Sequence, residues 1–227
     1  MKTRNDSFAA YVAPFAIFLG GLALSELIAV FGGESGLFWL AEPKYWVYPL
    51  QTVACTVCLI WYWRTYSWSP IVWGFGILTG VIVFILWVSP QLIFGMAPRT
   101  EGFNPDLFGE SPFLYWMTVI TRVFRLVVIV PLVEEIFWRG FLMRYLIKED
   151  FEKVKFGTYS HLSFFGVAVA FMLVHQPADW PAAFISGIIF GWVVIRTKSL
   201  FAVVLSHAVA NLLLGAYIMQ TKQWGFW

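Results

Sequence analysis

The sequence predicts an all-α fold, a polytopic integral membrane helical bundle with seven or eight transmembrane helices, and three observations carry that reading. Charged residues make up only 12% of the 227 positions and hydrophobic ones 60%. A soluble domain carries roughly 25% charged side chains, and half that number cannot coat a water-facing surface. Apolar runs long enough to cross a bilayer core of about 30 Å recur along the chain. The 13 tryptophans gather where those runs meet polar segments, at Trp39, Trp46, Trp63, Trp68, Trp116 and Trp224 among others. Amphipathic rings at the headgroup level give that distribution.

The predicted spans, in order, are residues 8–31, 45–63, 70–94, 112–147 taken as one unit, 160–176, 180–196 and 199–219. The unit 112–147 would be about 54 Å long at 1.5 Å per residue, too long for one straight crossing. Pro131 near its middle removes a backbone donor and is expected to kink or divide the helix. Basic residues alternate with acidic or mixed loops. Lys2 and Arg4, Arg64, Lys148 with Lys153 and Lys155, and Arg196 with Lys198 fall on one side. By the positive-inside bias the N-terminus is cytosolic. Arg122 and Arg125 break the regularity and mark an interfacial stretch. No small-residue cleavage site follows the first run, so it reads as a retained span and not a signal peptide. No repeat or low-complexity tract divides the chain, and residues 1–227 read as a single membrane domain.

Composition also excludes some functions. Fifteen basic and 13 acidic residues give a net charge of +2, with no basic block that would bind nucleic acid. Cys55 and Cys58 have C-x-x-C spacing but sit in an apolar run without the charge that tunes a redox pair, so they read as plain buried thiols.

Ionisable side chains inside the spans are the functional candidates, because each costs at least about 2.5–3.5 kcal/mol near the bilayer centre. They are Glu26, Glu134, Glu135, Arg139, His175 and His207. Glu135 and Arg139 are four apart, share a helix face and can pair. Glu134 points about 100° away from Glu135 and is free to face a different cavity, where it is suited to general-base work. A structural charge cluster at a helix end is the alternative. His175 closes an apolar helix after Phe171, and a lone histidine there is more often an interfacial or satisfied core residue. His207 and Asn211 lie four apart on one stripe, either as interhelical glue or as donors aimed at a substrate carbonyl. Gly187 and Gly191 form a small-xxx-small contact that favours a packed interior. Together a carboxylate, two imidazoles and an amide from three helices make up the equipment for water-activated peptide hydrolysis. Glu134 takes a proton from water, His175 orients it, and His207 with Asn211 stabilises the oxyanion. Glu26 belongs to no pattern; it either faces the cavity or snorkels. His161 reads as a boundary residue.

The motifs EExxxR (Glu134, Glu135, Arg139), FxxxH (Phe171, His175) and HxxxN (His207, Asn211) resemble, in this order, the CPBP family of CAAX prenyl endopeptidases and Abi-type bacteriocin-processing or self-immunity proteins. The resemblance covers about residues 112–215. It implies an intramembrane glutamic-type endopeptidase without a nucleophilic serine or cysteine, acting on a membrane-associated or lipidated peptide. Glu134 would be the general base, His175, His207 and Asn211 would complete the site, and Glu135, Arg139 and Phe171 would support it. It further implies location in a bacterial inner (plasma) membrane and a peptide or protein substrate in the lipid bilayer as partner. The CAAX substrate itself does not transfer with the motifs. No cofactor is expected, with zinc held by Glu134, His175 and His207 as the alternative. That trio has none of the H-E-x-x-H geometry and would leave no base. A non-catalytic membrane scaffold or self-immunity protein of the same fold is the second function. A proton-coupled transporter is the third, disfavoured because no repeated halves are visible.

Overall fold

The computed structural model describes residues 4–227; Lys2, one of the orienting cations, lies outside the described residues. Seven main helices follow one another: α1 (Arg4–Gly32), α2 (Lys44–Tyr62), α3 (Trp73–Phe94), α4 (Pro112–Tyr145), α5 (His161–Leu173), α6 (Trp180–Thr197) and α7 (Leu200–Thr221). No strand occurs among the described residues. Five of these helices, α1, α3, α4, α6 and α7, are long and apolar enough to cross a membrane. The 19-residue α2 and the 13-residue α5 complete the bundle. At about 20 Å, α5 is shorter than a bilayer core. The expectation of seven or eight crossings thus stands at five helices that meet both criteria.

Local chemistry sets the boundaries. Ser111 caps α4, its side chain accepting from Leu114 N, with Pro112 at the first helical position. Ser199 caps α7 in the same way through Ala202 N. The C-terminal ends of α6 and α7 are closed by Lys198 (φ 53°) and Lys222 (φ 58°), both left-handed.

Pro131 does not divide α4. The helix runs on through two π turns, at Arg125–Ile129 and Ile136–Leu142, which bracket the two glutamates. The widened ladder accommodates the missing donor: Val130 N–H reaches back to Arg125 O. The next carbonyl, Leu126 O, would in that register look to the nitrogen of Pro131, which carries no hydrogen. Asn211 of α7 takes its place. The same economy operates elsewhere. Pro14 cannot serve Ala10 O, which accepts from Tyr66 Oη at 2.6 Å. Pro90 cannot serve Leu86 O, which accepts from Ser89 Oγ at 2.9 Å. Inside a bilayer no water is available to take these carbonyls, so side chains must.

Glycine sets how closely helices approach. A Cβ on Gly80 of α3 would lie 2.5 Å from Ser206 O of α7, and one on Gly76 would lie 2.8 Å from Ala202 O. Gly187 and Gly191 of α6 meet Ala168 and Phe164 of α5, the close contact that their spacing predicts. The largest core cluster draws on α1 through α7. Tryptophan departs from the belt reading in places: Trp39 and Trp116 are exposed, but Trp224 is buried, packed among Val88, Leu214 and Ile218. Both cysteines are free, Cys55 buried and Cys58 partly so. Glu26 is exposed on α1, so of its two readings the cavity-facing one does not hold.

Candidate active site

The three motif helices α4, α5 and α7 converge on one cavity of about 170 Å³ lined by Glu134, His175, His207 and Asn211 together with Trp87, Phe171, Asp179, Ser186, Phe190 and Phe226. Its volume is enough for about five waters at roughly 30 Å³ each, or fewer beside a peptide group.

Glu135 is the hub beneath that cavity. Its side chain is wholly buried, as is that of Arg139 one turn on, and Arg139 Nη1 lies 2.9 Å from Glu135 Oε2. Arg139 Nη2 also donates to Gly187 O at 3.3 Å, which fastens α4 to α6. Its guanidinium sits over the rings of Phe171 at 5.0 Å and Phe190 at 5.3 Å. Two buried charges persist in such a place only when paired and hydrogen-bonded; here the two are paired with each other, while Arg139 Nε is left without a hydrogen-bond partner. Glu135 Oε1 then reaches α7, where His207 Nδ1 lies 2.8 Å away.

The two imidazoles are held differently. The carbonyl of Phe171 lies in the last turn of α5 and has no helical partner; His175 Nδ1 lies 2.7 Å from it. A carbonyl only accepts, so His175 carries its proton on Nδ1 and presents a bare Nε2. His207 Nδ1 faces a carboxylate, donates to it, and turns Nε2 outward. Aromatic rings fix both planes: Phe171 packs on His175 at 4.7 Å, and Phe190 stacks on His207 at 5.0 Å with 21° between planes. Trp87, which donates to Ser186 Oγ at 3.0 Å, comes within 5.8 Å of His175.

Glu134, next to the hub residue, turns into the cavity. It is 7% exposed, and its Oε2 is buried without a protein partner. Asn211 Nδ2 donates to Leu126 O at 2.8 Å, the carbonyl that Pro131 leaves free. An amide has two N–H groups, so one hydrogen remains for the cavity. All four residues singled out as catalytic from the sequence therefore border one space. Phe171, Glu135 and Arg139 form the layer behind it.

Several lining residues carry no sequence signal. Trp87 and Phe190 lie within uniformly apolar runs of the sequence. Asp179 reads as a loop charge, yet it borders the cavity and forms a bidentate pair with Arg99. Arg99 itself sits 4.6 Å from the Phe226 ring centre, so the α3–α4 connection and the C-terminal segment join at the rim. His161 lies apart, exposed at the start of α5 beside Tyr159. Among the described residues no group of three or more His, Cys, Asp or Glu is placed to hold a metal ion.

No curated protein and no solved structure matches the chain. The family model described as Type II CAAX prenyl endopeptidase Rce1-like matches residues 112–213, the stretch that holds all three motifs and every motif residue at the cavity, and over that stretch the chain is similar to this family.

Proposed function

We propose that the protein is an intramembrane glutamic-type endopeptidase that hydrolyses a peptide bond of a membrane-associated segment by water activation. The observation that carries this is the buried, partnerless Oε2 of Glu134 in the cavity shared with His175, His207 and Asn211. The similarity of residues 112–213 to a prenyl endopeptidase family supports the same reaction class.

The roles follow from the hydrogen-bond partners. Glu134 accepts a proton from a water while the water oxygen bonds to the scissile carbonyl carbon. His175 accepts the water's second hydrogen at Nε2 and so aims its lone pair. His207 acts in its doubly protonated form, with Nε2–H donating to the developing oxyanion and Glu135 as counter-charge. The remaining N–H of Asn211 gives the second donor. Collapse of the tetrahedral intermediate breaks the C–N bond, and the proton held by Glu134 passes to the leaving nitrogen. No step requires a metal, and chelators leave cleavage unchanged in this mechanism.

The test is Glu134→Gln, which keeps volume and removes the base. Membrane peptides that accumulate in a strain lacking the protein should also accumulate in a strain carrying Glu134→Gln, with expression and thermal unfolding near normal. Full complementation by Glu134→Gln would sink the proposal and leave the scaffold function.

A further inference from the structure

A second cavity, of about 190 Å³, lies between α2, the α3–α4 connection and the first half of α4. Its walls include Tyr45, Tyr48, Phe103, Met117, Arg122 and Arg125. Arg122 is only 6% exposed, and its Nε and Nη1 are buried without any hydrogen-bond partner. Arg125, 5% exposed, donates Nε and Nη2 to Gln51 Oε1 at 3.0 and 2.8 Å. That amide oxygen is neutral. Among the described residues no carboxylate forms an ion pair with either arginine. Aromatic rings give partial compensation: Arg122 lies 4.7 Å from the Phe103 ring centre and 5.3 Å from that of Tyr48. Arg125 lies 4.2 Å from Tyr48. Cation–π contact does not replace a counter-ion for two like charges one turn apart.

The place of the cleft identifies what completes it. Tyr45 and Tyr48 belong to the first turns of α2, and Phe103 to the connection before α4, so the guanidinium of Arg122 lies at the end of the bundle where interfacial rings and polar loops meet. The helix faces flanking the cleft are apolar and open to lipid: Leu50 is 62% exposed, Met117 48% and Ile120 60%. A phosphate group at that depth meets the forked donors that Arg matches best, and basic pockets between membrane helices hold anionic headgroups in this manner.

We propose that this cleft binds the phosphate of an anionic phospholipid, with Arg122 as the direct ligand and Arg125 reinforcing the charge behind it. The cleft shares no lining residue with the Glu134 cavity, although Glu134 lies within electrostatic reach of Arg125, and the proposal does not depend on the proposed reaction.

The test uses the full chain, stripped of lipid in mild detergent, and reads the thermal midpoint. Short-chain phosphatidylglycerol at about ten times its Kd should raise Tm by roughly 3–5 °C, and short-chain phosphatidylcholine should raise it less. Inorganic phosphate at the same concentration should do least, because it lacks the chains that lie along Leu50 and Met117. Arg122→Gln should abolish the phosphatidylglycerol shift without lowering the ligand-free midpoint, since it removes a buried charge that has no counter-ion. Should Arg122→Gln prove polydisperse, Arg122→Lys keeps the charge but loses the fork, and the shift should fall by at least half. An equal shift in wild type and variant, or no shift with any phosphate compound, would overturn the site. A shift from inorganic phosphate as large as that from the lipid would overturn the bilayer as its source.

Discussion

Asn211 serves two masters, and the bond between its Nδ2 and Leu126 O makes the double role measurable. Asn211→Ala leaves Leu126 O without a partner beside the cavity, and a buried acceptor so stranded costs about 1–3 kcal/mol. Measured side-chain hydrogen bonds between membrane helices average about 0.6 kcal/mol and reach about 1.7, so a loss of about 1–2 kcal/mol is expected. The carbonyl is free only because Pro131 has no N–H. Pro131→Ala supplies one within reach of the α4 ladder, and in that background Asn211→Ala should cost less than about 0.5 kcal/mol. The cycle therefore predicts a coupling of about 1 kcal/mol between residues 131 and 211, read from reversible unfolding in mixed micelles. Cleavage should behave differently: Asn211→Ala lowers it in both backgrounds, because the N–H proposed to meet the oxyanion is lost either way. Additive stability effects, or cleavage restored by Pro131→Ala, would refute the partnership.

Other perturbations probe the supporting layer. Glu135→Gln strands the buried Arg139 and removes the carboxylate behind His207; unfolding stability should fall by about 3–5 kcal/mol and cleavage by about 10–100-fold, measured on the same purified sample. Gly80→Ala forces a methyl to 2.5 Å from Ser206 O, a backbone atom that cannot swing aside. Separation of α3 from α7 should cost about 1–3 kcal/mol and reduce cleavage through the adjacent His207, whereas an unchanged midpoint would contradict the packing. Tyr66→Phe orphans Ala10 O far from the cavity and should cost about 1–2 kcal/mol with cleavage intact, which separates stability loss from site loss.

How much of this was legible beforehand depends on how far each contact reaches along the chain. Glu135 with Arg139 is an i,i+4 pair, so helix periodicity alone places them together, and 2.9 Å is what the structure gives. The divergence of Glu134 from Glu135 follows from the same periodicity. Gly187 and Gly191 announce close packing by spacing, but which helix they meet is a tertiary fact. The bond from His207 to Glu135 joins α7 to α4 and has no local signature. Nor do the π turns: Pro131 signals a defect in the ladder, and sequence reasoning resolves the defect as a kink or a division. The helix runs on undivided, its turn widened and the freed carbonyl taken by Asn211. Arg122 and Arg125 read only as irregularities of charge, because the aromatic rings of Tyr48 and Phe103 that shelter them come from other segments.

The difference between the two histidines has consequences for the proposed chemistry that composition alone would hide. Both present Nε2 to one cavity, yet the partner behind Nδ1 is a neutral carbonyl for His175 and a carboxylate for His207. A carbonyl fixes a tautomer but offers no counter-charge to an imidazolium; a carboxylate offers both. In the proposed reaction water orientation requires an acceptor and oxyanion stabilisation requires a donor, so the backing groups would divide the labour between chemically identical rings. That division originates in spacing: Phe171 is one turn before His175 at a helix end, where a carbonyl is left over, and Glu135 is one residue beyond Glu134, where the helix turns it from the cavity toward α7. Exchanging the labels is therefore not neutral. Replacing His175 should raise the barrier by disordering the nucleophile, and replacing His207 by removing a charge-assisted donor, so only the second loss should deepen in a Glu135→Gln background by less than the sum of its parts.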